Sequence, residues 1–158
     1  MQRVFYVLLN FNGRIKRRTW LVFFFVIMAA EYCCTLLFRN VFHVYGPVGT
    51  GQGLFSADYL GDMGGLLAGL IFLWPSLALD VKRWHDIGKS GYYALIYNGP
   101  TLAIYAAGLT ETVDVPEPQA SRLMNLLALI FLVYFIILAA RKGTSGVNPY
   151  GPAARLPN

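Results

Sequence analysis

TWLVFFFVIMAAEYCCTLLF, residues 19–38, is apolar from end to end but for Glu31, with a basic stretch from Arg14 to Arg18 before it and Arg39 after it. A helix needs about 20 predominantly apolar residues to cross the roughly 30 Å hydrocarbon core of a bilayer, and this run has that length. Cations at its borders mark where headgroups and water begin. A cleaved signal peptide would need small residues soon after a shorter apolar core. The long basic lead and the poor cleavage residues Cys33, Cys34 and Thr35 argue instead for a retained membrane helix.

Residues 64–79 form a second, shorter run that borrows Leu60 or Val81 at its ends to match the bilayer. Residues 92–109 form a third and contain Asn98, Gly99 and Pro100, a trio that breaks a soluble helix but is tolerated where neighbours satisfy the freed carbonyls. A kink is expected there. Residues 123–140 are almost uninterrupted Leu, Ile, Phe, Ala and Val, with Asn125 the strongly polar member. Composition agrees: the 158 residues are 56% hydrophobic and 13% charged, against about 25% charged in soluble domains. The expected architecture is an all-α membrane protein, one domain over residues 1–158, with four transmembrane helices in one bundle. Gly46 to Gly53, with Asp58 and Asp62, reads as a polar outer loop that belongs in water. The two halves of the chain do not read as copies, which disfavours a repeat-built transporter.

Cations fall in alternate segments. Arg3, Arg14, Lys16, Arg17 and Arg18 precede the first run, Lys82, Arg83 and Lys89 lie in the segment from Asp80 to Gly91, and Arg141, Lys142 and Arg155 follow the last. Asp58, Asp62, Glu111, Asp114 and Glu117 occupy the other segments, where Arg39 and Arg122 are the cations, each at a run's end. The positive-inside rule then places both termini and residues 80–91 on the cytoplasmic side of the membrane. The net charge of +5 is thus a topology signal and calls for no nucleic acid.

Sharper chemistry has bland rivals. Arg14 to Arg18 can each gain about 1 kcal/mol from anionic headgroups, although orientation alone also produces such a cluster; Trp20 reads as an interfacial anchor. Gly88, Lys89 and Ser90 resemble the end of a phosphate loop, but Arg83 stands where that motif needs its first glycine. His85 beside Asp86 suggests acid–base chemistry. Adjacent residues do not readily form such a pair, and the favoured reading has Asp86 cap or pair with Arg83, Lys89 or the basic amino-terminal segment, with Gly88 and Gly91 turning the chain, because fold-holding ion pairs are commoner than active sites. His43 is expected on the opposite side, no Cys, His and carboxylate cluster has metal-ligand spacing, and no cofactor motif is complete. Glu31 and Asn98 are the intramembrane polar residues. An ionised Glu31 would cost several kcal/mol unpaired, so it should face the interior, as a proton or cation site or bonded to Asn98, Asn125 or a tyrosine. Cys33 and Cys34, adjacent, are expected to be reduced packing residues.

Phe11, Asn12, Gly13, Arg14 through Arg18, Thr19 and Trp20 resemble the F-x-G-R-x-x-R-x-x-[YW] opening of the bacterial membrane family known as domain of unknown function 805. Lys82 to Tyr92 is similar to its R-R-L-H-D-x-G-x-S-G-[WY] signature, departing at Lys82 and Trp84, and Gly146 to Pro152 to its G-x-N-x-[YF]-G-P ending. The resemblance implies a small polytopic inner-membrane protein and no established activity. Because all three signatures fall on the expected cytoplasmic side, Arg14, Arg17, Arg83, His85, Asp86, Ser90, Asn148 and Tyr150 are expected to converge.

The reading is therefore a non-enzymatic membrane protein whose cytoplasmic cluster engages anionic lipid or a partner protein, with self-association compatible with its size. A small channel or transporter with a polar path near Glu31 is the alternative. An enzyme acting on lipid headgroups through His85 and Asp86 is the minor one.

Overall fold

The structure is a computed structural model that describes residues 2–45, 57–110 and 117–153. Its helices are α1 (Gln2–Leu9), α2 (Arg17–Tyr45), α3 (Ala57–Asp86), α4 (Leu95–Thr110) and α5 (Glu117–Ala140), with a 3-10 turn at Gly91–Ala94. An isolated bridge, Asn148 to Gly151, closes a turn in the carboxyl-terminal segment.

The expectation of four membrane-spanning helices is overturned. Among the described residues, two helices are long and apolar enough to cross a bilayer: 25 residues, Arg17–Val41, within α2 and 23 residues, Gly64–Asp86, within α3. At 1.5 Å per residue these reach about 37 and 34 Å. Helix α4 has 16 residues and carries Pro100 inside it, so it reaches only about 24 Å. Helix α5 has 24 residues, and its apolar stretch among the described residues is Asn125–Ala140, which is likewise short. Apolarity was legible in both segments; an unbroken apolar helix of spanning length is not found in either among the described residues.

Boundaries also move. Residues 80–91 were expected as a cytoplasmic loop, but α3 continues unbroken through Asp80, Lys82, Arg83 and His85 to Asp86. No glycine or proline stands between Pro75 and Gly88 to stop it. Asp58 and Asp62, expected in the outer loop, belong to the first turns of α3; the glycine-rich residues 46–56 lie outside the described residues, as do Asp114 and Arg155.

Helix α3 is the hub, packed along α2 and touching α1, the 3-10 turn and α4. Helices α2 and α3 approach closely where Gly64 faces Phe38, since a β-carbon on Gly64 would lie 2.7 Å from the ring. Small residues at such contacts let membrane helices meet through van der Waals packing. The core is largely aromatic: Trp20 stacks on Phe24 at 5.1 Å, Phe24 meets Phe135 at 5.2 Å, and Tyr97 meets Phe131 at 4.8 Å. Outside it, Val22, Phe25, Leu37, Ile71, Leu129 and Leu132 are exposed. An apolar surface on that scale is foreign to a soluble monomer and ordinary against lipid.

The end of α3 follows from one glycine. Gly88 has φ +82, its N–H bonds His85 O at 3.0 Å, and the Lys89 N–H bonds Trp84 O at 2.9 Å. This is a Schellman closure, in which a left-handed residue lets the chain satisfy the last carbonyls of the helix. Ser90 then caps the 3-10 turn, its Oγ accepting from Tyr92 N–H at 3.4 Å.

Candidate functional site

The cluster is built around Asp86, in the last turn of α3. Arg14 Nη2 lies 3.2 Å from its Oδ1 and Arg83 Nη1 2.5 Å from its Oδ2. All three side chains are buried, with Arg83 at 0% exposure and Arg14 and Asp86 at 4%. Two cations against one anion leave excess positive charge, and backbone carbonyls take it up. Arg14 donates to Gly146 O at 2.7 Å, Gly151 O at 3.2 Å and Thr144 O at 2.5 Å. Arg83 donates from Nε to Leu138 O at 3.0 Å and from Nη2 to Arg141 O. The last carbonyls of α5 lack intrahelical partners and sit at the negative end of its dipole, so a cation there is favoured.

Lys82 does the same for α1. It is fully buried, and its Nζ donates to Tyr6 O at 2.7 Å and to Val7 O. The short amino-terminal helix is thereby tied to α3 through its own unsatisfied carbonyls.

The carboxyl-terminal segment closes the knot. Thr144 N–H donates to Asp86 O at 2.8 Å, and Asn148 Nδ2 donates to His85 O at 2.8 Å and Thr144 Oγ1 at 2.9 Å. The Asn148 Oδ1 accepts from Tyr150 N–H at 2.9 Å, which shapes the turn. Tyr150 lies flat on His85, rings 4.0 Å apart and 5° from parallel. His85 Nδ1 is 3.2 Å from Gly13 O; a carbonyl only accepts, so Nδ1 carries the proton. Gly143 passes so close that a β-carbon would lie 2.0 Å from Asp86 Oδ2.

Six of the residues singled out from sequence thus meet: Arg14, Arg83, His85, Asp86, Asn148 and Tyr150. Arg17 stands exposed at the rim, Nη1 3.5 Å from Ala140 O. Ser90 lies apart, capping the 3-10 turn. His85 and Asp86 do not form an acid–base pair, because the imidazole faces Gly13 and Tyr150 while the carboxylate faces Arg14 and Arg83. Beside the knot runs a groove of about 340 Å³ lined by Lys16, Arg17, Arg18 and Lys142 together with Asp86, Gly143, Thr144 and Ala153; the Asp86 carboxylate there is already held by Arg14 and Arg83. Those four cations are exposed.

The intramembrane polar residues sit elsewhere. Asn98 is buried at 4% and donates to Asp80 Oδ2 at 3.0 Å and Ala94 O at 2.9 Å. Glu31 is half-buried on α2 and faces a cavity between the helices. Asn125, offered as its partner, is exposed. Trp20 is no interfacial anchor: it is fully buried, its Nε1 donating to Asp80 Oδ1 at 2.9 Å. Sequence reasoning missed Asp80 because it borders Lys82 and Arg83 and reads as the start of a wet loop. The missed signal was helical spacing, which puts Ser76, Asp80 and Trp84 on one face. Cys33 and Cys34 are free, Cys33 exposed. No group of three His, Cys, Asp or Glu side chains among the described residues could hold a metal.

Two curated proteins, each named "Uncharacterized protein YiiR" and coming from Escherichia coli strain K12 and Escherichia coli O157:H7, are 34% identical to the chain over 79 residues. That stretch is 50% of this chain and 52% of theirs, so the chain spans about half the length of these relatives. No solved structure matches. The profile of the family described as "Protein of unknown function (DUF805)" matches residues 8–152, which include all three sequence signatures. With its two membrane-length helices, this bacterial membrane-associated protein belongs to the DUF805 family.

Proposed function

We propose that the protein is a non-enzymatic component of the bacterial inner membrane that engages anionic lipid headgroups at the end bearing the polar knot, with that end in the cytoplasm. The observation that carries this reading is the groove lined by Lys16, Arg17, Arg18 and Lys142. Arg14 and Arg83, which sequence alone marks equally as lipid ligands, are spent on Asp86 and on carbonyls. The knot is the frame, and the exposed cations are the binding groups. Each basic group at an anionic surface contributes about 1 kcal/mol, so four in one groove favour phosphate-bearing headgroups over zwitterionic ones.

The test is partition of the purified protein between phosphatidylglycerol and phosphatidylcholine nanodiscs, for wild type and for a Lys16→Gln, Arg18→Gln, Lys142→Gln variant. The expected result is a preference for phosphatidylglycerol that the variant loses while its helical content stays. A preference that survives in the variant rejects the groove, and no preference in wild type rejects lipid engagement. Orientation is tested with Lys142→Cys in a Cys33→Ser, Cys34→Ser background. A membrane-impermeant thiol reagent should label it only after the inner membrane is opened.

A further inference from the structure

A cavity of about 380 Å³ lies between α2, α3, α4 and α5, away from the basic groove. Its walls are mainly aromatic and apolar, among them Phe24, Tyr97, Phe131 and Phe135, and two carboxylates line it, Asp80 and Glu31. Asp80 is 5% exposed and accepts three hydrogen bonds: Trp20 Nε1 at 2.9 Å on Oδ1, and Asn98 Nδ2 at 3.0 Å and Tyr134 OH at 2.9 Å on Oδ2. Tyr134 in turn accepts from Trp84 Nε1 at 3.2 Å. The indole N–H can only donate, which orients the Tyr134 hydroxyl proton toward Asp80.

Every one of these donors is neutral. Hydrogen bonds of this kind favour the anionic form of a carboxylate, yet none of the three partners carries a charge, and the Arg14–Asp86 and Arg83–Asp86 pairs lie in the knot. Desolvating an anion without a countercharge is unfavourable. Three donors use three of the roughly four acceptor positions of a carboxylate, which leaves capacity toward the cavity. Aromatic faces attract cations through their quadrupoles, so the walls and the floor of this cavity favour the same kind of guest.

We propose that this cavity is a binding site for an organic cation, an ammonium group carried on an apolar body, with Asp80 as its counter-ion and the aromatic walls enclosing it. Trp20 and Glu31, both on α2, are about 16 Å apart along the helix axis, so Glu31 stands toward the opposite end of the cavity from Asp80.

The probes are benzyltrimethylammonium and its uncharged carbon isostere, neopentylbenzene, with binding to the full-length protein in nanodiscs followed by tryptophan fluorescence. The expected result is saturable binding of the cation at least tenfold tighter than the isostere, weakened at least tenfold by Asp80→Asn. Because loss of the Asp80 network can unfold the chain, Ser76→Leu provides a second arm: it fills the cavity from α3 without touching a donor to Asp80, and should abolish cation binding with the melting temperature retained. Equal binding of the two probes, or undiminished cation binding in a folded Asp80→Asn or Ser76→Leu protein, overturns the proposal. The Lys16→Gln, Arg18→Gln, Lys142→Gln variant should bind the cation as wild type does, so this site and the lipid groove stand or fall separately.

Discussion

Asp86 holds one guanidinium on each carboxylate oxygen, both in a buried setting. Removing its charge leaves Arg14 and Arg83 facing each other across an amide, and breaking a buried pair from one side costs about 3–5 kcal/mol. Asp86→Asn should therefore lower the melting temperature by about 6–20 °C for a chain of this size, read by circular dichroism in detergent. Gly143→Ala tests the same contact by volume rather than charge. Its methyl would lie 2.0 Å from Asp86 Oδ2, and the overpacking should cost about 1–3 kcal/mol while both arginines keep their charge. If Gly143→Ala melts like wild type, the carboxyl-terminal segment does not press on α3 as described. At this scale the sequence marked the meeting residues and offered Arg83 and the basic amino-terminal segment among the partners of Asp86, but did not show that Asp86 holds both at once or that carbonyls take up the rest. Arg14 and Arg83 read as surface cations because a buried, unsnorkelled arginine is uncommon. Glu31 was conspicuous because it interrupts an apolar run, whereas Asp80, more deeply buried, was masked by the cations beside it.

Helix ends decide how the elements meet. The turn after α3 was legible from Gly88, since glycine adopts positive φ without steric penalty, whereas Gly91, also read as a turn residue, opens the 3-10 turn. The length of α3 was not, because charged residues were taken as its end when the carbonyls and Asp86 in fact make their burial tolerable. Gly88→Ala should cost about 1–2 kcal/mol from the left-handed conformation alone, and more here because a β-carbon would stand 3.2 Å from Thr144 Cγ2. Gly146 offers the control: its φ is +80, with nothing within 4 Å of an added β-carbon. Gly146→Ala should show the conformational cost without the contact. A larger melting shift for Gly88→Ala than for Gly146→Ala is expected in parallel scans, and the reverse order would place the strain elsewhere. Helix α1 escaped the sequence reading for a related reason. Eight residues are too few to sustain a helix in isolation, and this one stands because Lys82 satisfies its carbonyls and Val7 is buried against the core.

For the molecule as a whole, the two kinds of cation should answer differently to salt. Lys16, Arg17, Arg18 and Lys142 are exposed, so their attraction to a charged surface is screened over a Debye length that shrinks from about 10 Å at 0.1 M to about 3 Å at 1 M. Arg14, Lys82 and Arg83 are buried among carbonyls and Asp86, where mobile ions do not reach and screening is much weaker. Raising sodium chloride from 0.1 to 1 M should therefore abolish the preference for phosphatidylglycerol nanodiscs while leaving the melting temperature within a few degrees. The pairing of outcomes is what discriminates. A fall in both would mean that the knot is hydrated and that its ion pairs behave as surface pairs. A retained lipid preference at 1 M would mean that apolar contact, through the exposed faces of α2 and α3, rather than the basic groove, selects the lipid. Only loss of binding with retained stability fits a protein in which one set of arginines and lysines builds the frame and another, adjacent in sequence, is left free to bind.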